Sequence, residues 1–309
     1  MKAVIYKLKF RAAVHFGSGR LSSGGNVFFA DTLFSALCHE AVKLYGSDGA
    51  EKLYRLAHEG ELMLSDGMPY CGDILLVPKP IIHIEGERES DSSMKKKFKK
   101  LKYIPINDMG SFLDGKYDPS DALDIKLGES DIRNAAAIHD DDDNEPFNIG
   151  TYTFAKNCGL YFIAQISSDE AGEVLDKLLE SLSYTGIGGK VSAGLGRFEF
   201  TKTDMPAELE KRLAGNSSAY MSLSVSMAMD DELDSAVQGA YYEMIKRSGF
   251  VASPTYADNP QKKTDLYCFR SGSCFKNRFH GGVFDVSAGG NHPVYRYAKP
   301  MFMSIGREE

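Results

Sequence analysis

The segment Gly186 to Gly196, GIGGKVSAGLG, places five glycines in eleven residues beside Lys190, Ser192 and Arg197. Two phosphate-binding motifs are excluded at once. Walker A needs a glycine five residues before its Gly-Lys pair and a Ser or Thr after it, where Tyr184 and Val191 stand. GxGxxG fails twice, because Val191 and Glu199 occupy the third glycine position. Two readings remain. Backbone N–H groups at Gly186, Gly188, Gly189, Gly194 and Gly196 can approach phosphates without obstruction, with charge from Lys190 and Arg197 and a hydroxyl from Ser192. Alternatively, the glycines allow a tight structural turn.

A second glycine-rich stretch, HFGSGRLSSGG, begins at His15, where an alternating segment ends. A histidine there can act as general base in metal-independent RNA cleavage, but that task needs an acid, base or charge stabiliser in reach, and no such partner is identifiable. RNA contact or loop packing is the competing reading, with Gly17, Ser18 and Arg20 alongside. Asp31 offers a carboxylate for RNA cleavage or metal, yet it directly precedes a helical pattern and reads as an N-cap. In the tail, His280, His292, Arg296 and Lys299 accompany Tyr295, Tyr297 and Phe302. Cations with rings suit single-stranded RNA, against ordinary strand packing. His83 and His139 lack ligand spacing, and the aspartates at 140–143 lack the alternation and closing glutamate of an EF-hand loop. Neither metal nor cofactor is expected.

The 309 residues are 43% hydrophobic and 26% charged, which excludes a disordered chain, and the net charge is −7. A polyanion partner must therefore meet a local basic patch. One candidate is RESDSSMKKKFKKLK at 88–102, seven positive residues against two negative, which otherwise reads as a solvated face. Five widely spaced cysteines make neither a thiolate cage nor a CxxC pair and read as reduced thiols. The N-terminus lacks a long apolar core and no run reaches membrane-spanning length, so a soluble cytoplasmic protein is expected.

These residues need a scaffold. Residues 3–14 alternate as a half-buried strand, with Val4, Tyr6, Leu8 and Phe10 on one face, and a flexible loop follows. The spacing of Leu33, Leu37, Ala41 and Leu44 predicts a helix over 32–45. Residues 107–128 read as irregular connection, 151–166 as a central strand, 170–183 as a helix and 197–203 as a strand. The order is βαββαβ around a long insertion near 60–150. Polar residues 203–218 read as a linker, 231–247 as a helix and the tail as two or three strands. The expected fold is α+β with two domains, 1–203 and 218–309.

The motifs HFGSGRL (15–21), ADTLFSALCHEA (30–41), GIGGKVSAGLGRFEF (186–200) and GGNHPVYRYAKPMF (289–302) occur in this order across the chain, which thereby resembles the Csm4 family. These are the Cas5-like RAMP subunits of type III-A CRISPR effector complexes. The resemblance implies two ferredoxin-like (RRM-like) RAMP domains and a thumb-like hairpin inserted near 130–150. It implies a non-catalytic subunit that binds the crRNA 5′ handle and contacts a Cas10-type (Csm1-type) large subunit and a Csm3-type backbone subunit. The handle would lie on His15, Gly17, Ser18 and Arg20, on the glycine loop with Lys190, Ser192 and Arg197, and near His292 and Arg296. Two alternatives stand beside it: a Cas6-like endoribonuclease using His15, and a protein-only assembly scaffold.

Overall fold

The alternation at the start of the chain builds β1 (Lys2–Phe10), which buries Tyr6 and Leu8 on one face and Ile5 on the other. In the computed structural model, which describes residues 1–83, 92–136, 146–253 and 255–306, the glycine-rich stretch that follows is a short hairpin, β2 (Phe16–Ser18) and β3 (Arg20–Gly25). It is therefore not the expected flexible loop: the glycines let β3 press against the neighbouring hairpin, since a Cβ on Gly24 would meet the Gly150 carbonyl oxygen at 2.8 Å.

Helix α1 (Ala30–Tyr45) follows, then α2 (Gly49–His58), β4 (Leu62–Leu64), β5 (Met68–Cys71) and β6 (Ile74–Pro78). Between β6 and β7 (Tyr103–Pro105) lies α3 (Ser92–Lys100). The stretch expected to be irregular contains two short helices, α4 (Met109–Leu113) and α5 (Ser120–Asp124). An antiparallel hairpin, β8 (Gly128–Ala136) and β9 (Pro146–Phe154), stands where the thumb-like insertion was expected. The acidic run 138–145 lies outside the described residues, as do positions 88–91 of the basic segment.

β10 (Cys158–Ile166) is the central strand: it pairs with β1 on one side and with β4 and β5 on the other. α6 (Asp169–Thr185) carries Val174, Leu175, Leu178 and Leu182 inward, and the Ser168 hydroxyl accepts from the Ala171 N–H as its N-cap. β11 (Phe198–Thr203) closes the far edge against β1. The sheet order β11-β1-β10-β5-β6-β7, with β4 also on β10, contains the ferredoxin-like βαββαβ arrangement, the last strand flanking the first.

Each sheet face has its own core. Tyr6, Leu8, Leu160 and Phe162 pack under α1 and α6, with Tyr6 and Phe162 stacked at 5.1 Å. Ile5, Tyr161 and Ile163 on the opposite face meet Phe112, Leu209, Met221 and Met303. That second face, which RRM-like domains leave open to stack bases, is here covered by the insertion and the C-terminal half.

The supposed linker is α7 (Ala207–Ala214), which buries Leu209 and docks through Arg212 on the Ser304 carbonyl. β12 (Tyr220–Ser222) leads into the last half. The helix expected over 231–247 does not form beyond the single turn α8 (Leu233–Val237). Gly239 breaks it at φ 64°, and β13 (Met244–Arg247) pairs with β14 (Leu266–Phe269). The apolar pattern was misleading because Leu233, Tyr241 and Met244 are exposed. β15 (Cys274–Phe275) and β18 (Phe302–Ser304) flank β12, while β16 (Gly282–Asp285) and β17 (Tyr295–Ala298) form a hairpin. Cys71 and Cys158, opposite one another on β5 and β10, are joined by a disulfide, correcting the expectation of five free thiols.

Candidate nucleic-acid interface

The glycine loop turns from α6 back to β11 and is laced to the segment between β1 and β2. The N–H groups of Gly189 and Gly196 donate to the carbonyls of His15 and Ala13, both at 2.9 Å, and that of Ile187 donates to Gly196. Those of Gly186, Ala193 and Gly194 also donate to backbone carbonyls. The expected open cradle of N–H groups is thus largely occupied by the chain itself. What the glycines provide is proximity. A Cβ on Gly188 would lie 2.7 Å from the His15 carbonyl oxygen, and one on Gly189 would lie 2.7 Å from His15 Cδ2. Gly186, Gly188, Gly194 and Gly196 also take φ between 77° and 104°, where side chains are strained.

His15 is the keystone of this packing. It is 6% exposed, and its Nδ1 lies 2.6 Å from the Gly150 carbonyl, which fixes the ring as an Nδ1–H donor. An exposed general base is not what the structure presents. Gly17 and His15 nevertheless line a groove of about 510 Å³, with Gly186, Gly188 and Gly189 on the same wall.

The opposite wall contains residues absent from the sequence expectation. Arg247 clasps Asp31 with Nε and a terminal nitrogen, at 2.9 and 2.8 Å, and its guanidinium lies 4.4 Å from the Phe29 ring. Arg296, 5% exposed, adds a third hydrogen bond to Asp31 at 3.2 Å. Burial opposes the Arg247 charge, but Asp31 outweighs it and holds the pKa above its ordinary value. Burial lowers that of Arg296. Two guanidinium groups on one carboxylate leave an excess positive charge at the groove. Lys263 extends it, its pKa lowered by burial and then by Arg296. His39 on α1 also lines the groove; burial and then Lys263 and Lys43 lower its pKa, so it is neutral near pH 7. Phe250, 66% exposed, stands at the lip.

Asp31 is accordingly not the helix cap. The α1 cap position is Phe29, whose ring offers no hydrogen-bond acceptor, and the Ala30 N–H donates instead to Asp66 Oδ1 at 2.7 Å. The same oxygen accepts from the Val225 N–H at 2.9 Å. Burial pushes the Asp66 carboxyl up to about 6.

The other expected contacts divide. Lys190 is exposed in left-handed conformation, φ 59°, with its ammonium 5.0 Å from the Phe147 ring of the β8–β9 hairpin. Ser192 is exposed, and Arg20 is exposed beyond Ser18 at the β2–β3 tip. Arg197 lines a different cleft with Arg11, Lys202, Asp176 and Glu180, so the loop's two cations do not converge. His292 lies outside the groove lining, with Nε2 2.8 Å from Ser253 Oγ. Of the remaining tail residues, Tyr295 lines the groove and His280 is exposed beside Glu232, whereas Lys299 donates to the Ala57 and His58 carbonyls at the end of α2 and the buried Tyr297 hydroxyl accepts from the Leu64 N–H. No cluster of three metal-ligating side chains occurs among the described residues.

Two family models match in tandem, the RAMP superfamily over residues 7–199 and the CRISPR Csm4 C-terminal domain over 215–305. A relative from Mycobacterium tuberculosis, "CRISPR system Cms protein Csm4", is 42% identical over 295 residues, covering 94% of each chain. The chain belongs to the Csm4 family. The Csm4 protein of Streptococcus thermophilus is 32% identical, with 97% of this chain and 98% of that one covered. Among solved structures, a Csm3–Csm4 subcomplex of a type III-A CRISPR-Cas interference complex contains a chain with TM-score 0.68 at 21% identity, covering 98% of this chain and 99% of that one. A Csm1–Csm4 cassette in complex with cA4 gives TM-score 0.64 at 18% identity, with both chains fully covered. These Csm4-type structures share the fold. Among the described residues, no helix is long and apolar enough to cross a membrane.

Proposed function

We propose that this chain is the non-catalytic subunit of a type III-A CRISPR effector complex that binds the crRNA 5′ handle and bridges a Cas10-type large subunit to a Csm3-type backbone subunit. The observation that carries the RNA reading is the groove between the glycine loop and the Asp31–Arg247–Arg296 cluster. One wall brings Gly186, Gly188 and Gly189 beside His15, the other carries excess positive charge, and Phe250 offers a ring at the lip. Such a cleft holds phosphates with Lys263 and the outer arginine edge and stacks a splayed base on the ring. The bridging role draws on the solved Csm3–Csm4 and Csm1–Csm4 assemblies.

His15 acts as a positioning group for the loop. Its burial and its bond to Gly150 support this reading against a Cas6-like nuclease. The two domains of the reading, 1–203 and 218–309, put the glycine loop in the first and the arginines in the second, so the handle is gripped between them.

The test is crosslinking mass spectrometry on the reconstituted complex with a photoreactive nucleotide in the handle. Crosslinks at 15–25, 186–197, 247–263 or 292–296 are the expected result. Crosslinks confined to neighbouring subunits overturn the reading in favour of a protein-only scaffold, and metal-independent cleavage of repeat RNA that is lost in His15→Ala would establish the nuclease.

A further inference from the structure

The lysine-rich segment has no part in the groove. Helix α3 sits in the insertion, on the sheet face opposite α1 and α6, and is anchored by Phe98, which packs against the second core with its ring 6.5 Å from Phe112. Leu101, just beyond the helix, is buried in the same core. At about 100° per residue, Met94, Phe98 and Leu101 share one side. Lys95, Lys96, Lys99 and Lys100 then occupy an arc of about 140° centred on the other side. All four are exposed, as is Lys102. Lys97 behaves differently: it points sideways and donates to Ser120 Oγ at 2.8 Å.

The exposed lysines form no ion pair with any described residue, although cations elsewhere on the surface commonly do, as in Lys52–Glu170, Lys126–Glu129 and Arg270–Glu243. Like charges four residues apart, Lys95 with Lys99 and Lys96 with Lys100, weaken an isolated helix. The fold keeps this unfavourable row on a chain whose net charge is −7. Lysine is depleted from protein–protein interfaces, which use aromatic and arginine anchors, and no large apolar side chain is interleaved with these lysines. A row of ammonium groups without rings or guanidinium forks suits a phosphodiester backbone read without regard to sequence.

We infer that α3, through Lys95, Lys96, Lys99 and Lys100, is a second, sequence-independent RNA-binding surface on the face of the sheet opposite the groove.

The test compares the full-length chain with a Lys95→Gln, Lys96→Gln, Lys99→Gln, Lys100→Gln variant for binding a labelled single-stranded RNA without handle sequence, across a salt series. The expected variant binds about ten-fold or more weakly at low salt, and its log K against log salt slope is shallower by about 2 to 3, at about 0.7 per lost phosphate contact on a single strand. The four corresponding arginine substitutions restore both quantities. Unchanged affinity and slope overturn the inference. So does a variant that binds RNA normally but fails to assemble with its partner subunits, which would make the surface an acidic-protein contact. Should the glutamine variant misfold, acylation footprinting of the unaltered chain decides: RNA protects these four lysines, and equal labelling with and without RNA overturns the inference.

Discussion

Across the groove, the glycine loop and the Asp31 cluster face each other with opposite constructions. The loop comes close to its neighbours because its glycines lack side chains, and the N–H groups of Gly186, Gly189, Gly194 and Gly196 are occupied by backbone carbonyls. The cluster comes close because two arginines converge from β13 and β17 on one carboxylate of α1. Shape is made on one side by omission and on the other by charge. The comparison teaches that a glycine-rich motif and a cationic motif near RNA are not interchangeable evidence: the first sets clearance, and only the second brings the field that attracts phosphate.

The comparison is most easily broken on its charged side. Asp31→Ala leaves Arg247 and Arg296 facing each other partly desolvated, and it should cost about 3–5 kcal/mol of stability, read as a lowered urea midpoint. If the cost were under about 1 kcal/mol, the cluster would be as well hydrated as an exposed pair. On the other wall, Gly196→Ala forces a side chain into a φ of 77° and against the Ile187 carbonyl. The left-handed backbone and the overlap together should cost about 2–4 kcal/mol in the same measurement.

A third test sharpens the contrast below the cluster. The folded-state pKa of Asp66 stands near 6 against an ordinary 3.8, so folding favours its protonated form. Its contribution is complete below about pH 4 and is lost as pH rises to about 6, a fall on the order of 2–3 kcal/mol. Asp66→Asn should remove that slope from a pH series of denaturation curves. The smallest effect is expected at Lys190→Gln. Stability should change by less than about 1 kcal/mol, because the ammonium is exposed over Phe147. Handle RNA should nevertheless bind with a salt slope shallower by about 0.7.

The sequence revealed elements where burial follows a single period. β1, α1 and α6 were legible from Tyr6, Leu8, Leu33, Leu37, Val174 and Leu178, whose spacing matches the face that each buries, whereas the single strand expected over 151–166 is the end of β9, a turn at Asn157 with φ 65°, and β10, which is buried on both faces. It misled where local pattern competes with distant pairing: 231–247 has helical spacing, yet β14 captures Met244–Arg247 with partners 19 to 25 residues away. The linker concealed α7, whose signals were Pro206 at the start, glutamates in the first turn and Arg212 in the last. In the candidate site, the glycine loop, Gly17 and Arg296 were found from composition. Arg247 was not, because its partner Asp31 is 216 residues distant and nothing local distinguishes it from a surface arginine. For Lys299 and Tyr297 the sequence leaves RNA contact and strand packing both open, because residue type alone does not disclose burial.

The stitching of the C-terminal half into the first carries one more implication. Val225, Cys268, Val283, Tyr297 and Ala298 belong to the same core as Leu8, Phe34 and Phe162, and Asp66, Tyr297 and Lys299 hold backbone groups across the join. The two family modules meet between residues 199 and 215 in sequence, but no energetic seam runs there. A chain divided at that point would give two fragments with apolar faces open to water, and the intact chain should melt in one calorimetric peak, its modules inherited and lost together.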